Sequence, residues 1–117
     1  ANSEAHLAGW AGIEVGVPPV GDPARFAIRS VPVADASAYP TKQQLLDYAA
    51  AVREQVLAGL SRLTPSDLAR PSNAPPHVRD YFDTVGKVLQ TLATHEMMHV
   101  GQLSVVRKEL GLGPVIG

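Results

Sequence analysis

Between Gly16 and Pro40 the chain carries five prolines and two glycines, in GVPPVGDP and then VPVADASAYP, and this run constrains the fold more than any other. Proline lacks the backbone donor that a helix needs, and its ring clashes with the preceding turn. A regular helix is therefore excluded over residues 16–40. The stretch is expected as a long irregular crossover, with room for an extended piece around residues 26–33. Loops of this length are commonly functional or packed as lids. Regular structure is pushed to either side.

On the near side, EAHLAGWAGIEV (Glu4 to Val15) is Ala-rich and free of proline, with Asn2 and Ser3 available as caps. It predicts a helix over residues 3–15. On the far side, Thr41 caps TKQQLLDYAAAVREQVLAGLSRL, in which Leu45, Ala49, Val52, Val56, Leu60 and Leu63 recur at helical spacing. That single apolar stripe predicts a core-facing helix over residues 41–63. TPSDL, from Thr64, offers a cap followed by proline for one short further turn, and ARPSNAPP is a turn-rich linker. A last helix is predicted over residues 84–110, with room for an earlier start in HVRDYF. Gly111 is placed to end it as C′, and Arg107 and Lys108 suit the negative end of its dipole.

The expected fold is all-α, with residues 1–117 forming one domain. At 117 residues, 45% of them apolar, the chain is long enough to bury a core. Ten basic residues against eleven acidic ones leave no basic surface for nucleic acid or anionic lipid, so no nucleic-acid partner is expected. No apolar run approaches the ~20 residues that span a bilayer, and no leader-like start is present, so no membrane partner and a cytoplasmic location are expected. The sequence has no cysteine. Any metal must then be held by histidine and carboxylate.

The chemistry concentrates in HEMMH, residues 95–99. His95 and His99 lie about 40° apart on one helical face, together with Val88, Leu92, Gln102 and Val106. Two imidazoles thus project from an apolar stripe. Their ring nitrogens could share a divalent cation at ~2.1 Å, or the rings could be a pair bonded only to protein groups. Read literally, HExxH is the signature of zinc peptidases. Such enzymes need a third ligand downstream, yet Gln102 and Val105 occupy the positions of the metzincin glycine and histidine. The acid after His99, Glu109, lies ten residues along the same helix, ~15 Å away by its rise. A peptidase is therefore not expected. His6, inside the first predicted helix, is the better candidate for a third ligand, since crossing helices can bring it against the pair. His77, in a loop, is expected at the surface.

These segments together, NSEAHLAGW, AYPTKQQLL, TPSDLARP and above all TVGKVLQTLATHEMMHVGQLSVVRKELG, resemble the DinB-like (damage-inducible) superfamily of four-helix-bundle metalloproteins. The resemblance implies a histidine triad, here His6, His95 and His99, that binds zinc, nickel, iron or manganese. It also implies a homodimer and a metal-dependent transferase acting on a small-molecule substrate with a low-molecular-weight thiol. The alternative is a non-catalytic metal-binding or dimerisation module of the same fold. Relative to the family pattern the first helix is missing, so a bundle that is incomplete or domain-swapped is expected. If the family chemistry holds, Glu96 is a candidate base or support for the ligands, or only an interhelical contact. Gln102 is a candidate for orienting water or substrate, or a buried hydrogen-bonder. Trp10 and Tyr39 are candidate pocket walls or core residues.

Overall fold

A computed structural model describes residues 2–27 and 29–114. It is all-α: three α-helices joined by irregular segments, with no strand among the described residues. One isolated bridge pairs Pro71 with Thr84. The helices are α1 (Asn2–Trp10), α2 (Lys42–Leu60) and α3 (Val85–Glu109).

Helix α1 ends five residues short of the expected Val15. Gly12 adopts φ 81°. Its N–H donates to Gly9 O at 3.0 Å, and the Ile13 N–H donates to Ala8 O at 2.9 Å. This pair of bonds is the Schellman closure, which satisfies the last carbonyls and needs a residue at positive φ. Asn2 is also helical rather than a cap. Its Oδ1 accepts a bond from the Tyr48 hydroxyl at 2.8 Å, which ties the start of α1 to α2.

The described residues of 16–40 are irregular, as expected. Short 3₁₀ turns form at Pro23–Phe26 and Ala36–Ala38, and the described residues between them form no strand where the sequence leaves room for an extended piece around residues 26–33; Ile28 lies outside the described residues. Each turn is capped by an aspartate, Asp22 and Asp35, that accepts a backbone N–H two residues on.

Helix α2 opens on a reciprocal capping box. Thr41 Oγ1 accepts the Gln44 N–H at 3.2 Å, and Gln44 Oε1 accepts the Thr41 N–H at 2.8 Å. Thr64 and Asp67 then start the 3₁₀ turn Pro65–Ala69, which packs on α3. The following loop works as a buckle. The Ser72 N–H donates to Asp83 O and the Val85 N–H to Arg70 O, both at 2.9 Å, while the Asn73 N–H donates to Trp10 O at 2.8 Å. HVRDYF is therefore held out of α3, which begins only after Thr84 caps it. At the other end Gly111, at φ 69°, repeats the Schellman closure with Lys108 and Arg107 as acceptors.

The core is small and sits where α1 crosses its neighbours. Leu7, Ala8, Ala11 and Ile13 pack with Val52 and Val56 of α2 and Val85 and Val88 of α3. Trp10 stacks on Phe82 at a centroid distance of 5.3 Å and seals one side of this cluster. Gly59 lets α2 approach the α1 terminus, since a Cβ there would fall 2.2 Å from Ile13 Cγ2. Helix α1 packs against both α2 and α3, whereas α2 and α3 meet through long side chains. Twenty-five residues make α3 ~37 Å long, yet of these only Val85 and Val88 are buried. Its second half runs beyond the core.

Candidate metal centre

The ring pair lies where α3 leaves the core. One turn apart on the helix, His95 and His99 meet edge to face, with centroids 4.7 Å apart and planes at 86°. Their Nε2 atoms are 3.1 Å apart. The other nitrogen of His99, Nδ1, is 2.9 Å from Gln102 Oε1. His95 is half-buried, and His99 and Gln102 are exposed. The three side chains form a line along one face of α3, as the i, i+4, i+7 spacing requires.

Two nitrogens bound to one ion at ~2.1 Å, with an angle between 90° and the tetrahedral value, lie about 3.0–3.4 Å apart. The observed separation falls in that interval. As a donor pair the imidazoles fit a divalent cation. Among the described residues no three His, Cys, Asp or Glu side chains form a group that could hold a metal. His6 does not join the pair. It is exposed on α1 and lines a recess of about 640 Å³ beneath the crossover, with Ser3, Val15, Val17, Phe26 and Tyr48. Burial pushes the Tyr48 hydroxyl up from its ordinary value.

Glu96 lies about a quarter of a turn round α3 from His95, on the side that faces α2. Its carboxylate pairs with the Arg53 guanidinium of α2 at the mouth of a groove of about 220 Å³, whose walls include Val56, Leu60, Leu89 and Leu92. The hydrogen bond from Arg53 holds the Glu96 carboxyl below the usual carboxylate range, against the opposing effect of desolvation. The contact available to Glu96 here is interhelical. Arg53 was not among the candidates read from the sequence, because nothing in the α2 pattern tells which exposed residue meets a helix 43 residues away.

Neither aromatic candidate borders the pair. Trp10 packs against the core, and Tyr39 faces the crossover, its hydroxyl accepting the Val33 N–H at 2.8 Å and its ring lying edge-on to Phe26. His77 is exposed on the turn Pro76–Val78. Helix α3 is continuous to Glu109, so that carboxylate stays ~15 Å along the axis from His99, out of reach of the pair.

A small helical bundle with a paired-histidine motif on its last helix defines a class of bundle proteins whose sites are built from facing helices. The DinB superfamily model matches residues 5–103, which takes in His6, the crossover, α2, the buckle and the histidine pair. The chain belongs to the DinB superfamily. That membership suggests a metal-binding helical protein. No curated protein and no solved structure matches the chain.

Proposed function

We propose that the chain binds a divalent cation through Nε2 of His95 and Nε2 of His99, and that it acts as a metal-dependent transferase with a low-molecular-weight thiol. The observation that carries the metal reading is the 3.1 Å separation of the two ring nitrogens. A cation held there supplies Lewis acidity, which lowers the pKa of a coordinated thiol toward neutrality. These 117 residues contain no cysteine, so the thiol of such a reaction comes from a small molecule. The exposure of His99 leaves access for that molecule and for a substrate. Among the described residues, no helix is long and apolar enough to cross a membrane, and a cytoplasmic setting suits a reaction that draws on a small thiol.

The family resemblance names His6 as third ligand, and we propose it in that role, with zinc, nickel, iron or manganese as the ion. Bringing His6 to the pair requires α1 to present a different face from the one that lines the recess beneath the crossover. Glu96, ionised and engaged by Arg53, is suited to shaping the entrance more than to taking up a proton. A second reading, a non-catalytic metal-binding or dimerisation module, is favoured by the exposed apolar side chains on the outer half of α3.

Elemental analysis of the purified protein, followed by Co(II) substitution and a panel of small thiols, separates these readings. A near-stoichiometric metal and a Co(II) spectrum that shifts on adding thiol are expected for the transferase. Bound metal with a spectrum indifferent to thiols would support the metal-binding module, and a protein that takes up no metal would end the transferase and leave only a dimerisation module.

A further inference from the structure

A neutral imidazole has one N–H and one lone pair, and an amide oxygen only accepts. With its amide oxygen toward the ring at 2.9 Å, Gln102 can accept from Nδ1 only in the tautomer that carries the His99 proton there and leaves the lone pair on Nε2. Across the 3.1 Å gap to His95, two facing lone pairs would repel, so the bond between the rings puts the other proton on Nε2 of His95. The two histidines are inequivalent. His99 already offers the nitrogen that a cation would take, while His95 must carry its proton on Nδ1 before its Nε2 can do the same.

We infer that Gln102 is a positioning residue: it fixes the tautomer and the ring rotation of His99 and makes that residue the anchoring ligand of the pair. This rests on the metal reading proposed above. The chemistry is that of an outer hydrogen-bond acceptor behind a ligating imidazole, which selects the coordinating nitrogen. An amide at i+3 can do this because residues three apart on a helix are neighbours, so no second element is needed. Gln102 thus acts on His99 and need not touch water or substrate.

The test uses the full chain, labelled with ¹⁵N and free of metal, and reads the histidine tautomers from long-range proton–nitrogen correlations. Co(II) titration of the same samples gives the affinity. In the unaltered protein His99 is expected as the Nδ1–H form. Gln102→Ala should release it to the other tautomer and weaken Co(II) binding by about 10–100-fold. Gln102→Glu, which keeps an acceptor at the same place, should restore both the Nδ1–H signal and the affinity. A Gln102→Ala protein with the His99 signals and the Co(II) affinity both unchanged would overturn the inference, as would failure of Gln102→Glu to restore either in a protein whose helix content is intact. If the unaltered chain binds no Co(II), the metal reading fails on its own, and the metal-free spectra still decide whether Gln102 sets the state of His99.

Discussion

The two imidazoles of α3 differ from the other histidines in having each other within reach. Replacing His99 by Ala removes a donor from the pair, whereas replacing His77 trims an exposed turn. Zinc affinity measured against a competing chelator should fall by roughly 100-fold or more for His99→Ala, beyond the range for outer-sphere changes, and stay unchanged for His77→Ala. Glu96 gives a prediction about acid. Its folded-state pKa is depressed, so the ion pair with Arg53 contributes stability above the ordinary carboxyl value of 4.5 and loses it as pH falls through the lower folded value. Both side chains are about half exposed, and solvent screens them. Glu96→Gln should therefore cost no more than about 1 kcal/mol at neutral pH, and the cost should vanish in acid, as read by urea unfolding at both pH values. Equal destabilisation at both would mean that packing, and not charge, is what Arg53 and Glu96 share. Spacing alone made His95 and His99 legible, since i and i+4 fix a common face. Gln102 was legible as a member of that face. Its contact with His99 was not, because periodicity gives a side chain's direction and not its hydrogen-bond partner.

At the scale of the elements, the glycines carry most of the information. Gly12 closes α1 at φ 81°, and Gly12→Ala should cost roughly 1–2 kcal/mol through the left-handed backbone alone. Gly59→Ala should cost about 1–3 kcal/mol for a different reason, the clash of a new Cβ with Ile13. Gly101, in the middle of α3 with nothing within 4 Å of its Cβ position, should respond in the opposite direction, with Ala adding up to ~1 kcal/mol of helix stability. Denaturant midpoints of the three variants check both sign and order. Helix α2 was the most legible element, because a capping threonine and a 3.6-residue stripe agree on it. The end of α1 was not. An Ala-rich sequence continues past Gly12 with helix-compatible residues, and only the two backbone bonds to Ala8 and Gly9 reveal that the glycine closes the helix.

On the scale of the whole molecule, the buried side chains among the described residues gather where α1 meets α2 and the start of α3. Met97, Leu103 and Val105 are all more than half exposed and lie on different sides of the outer part of α3, so this stretch carries apolar surface that a partner could cover. We propose self-association through this stretch of the helix. Light scattering at micromolar concentration should return a mass well above the 12.4 kDa of one chain, and Leu103→Glu should bring it down; a single-chain mass for the unaltered protein would count against the proposal. The sequence made the stripe on α3 visible but said nothing of where along it the core would stop, since that depends on how far α1 extends. Helix α1 is nine residues long and is too short to persist by itself in water. It is nevertheless the element that packs against both longer helices, and the Asn73 N–H bonds to its last residue. Detaching it would strip α2 and α3 of their shared partner at once. Local opening of the shortest helix should then coincide with collapse of the whole cooperative unit. Amide exchange at Ala11 and Ile13, whose N–H groups donate to Leu7 O and Ala8 O at the end of α1, should be as slow as the slowest amides of α2, although helix ends are ordinarily where fraying is fastest.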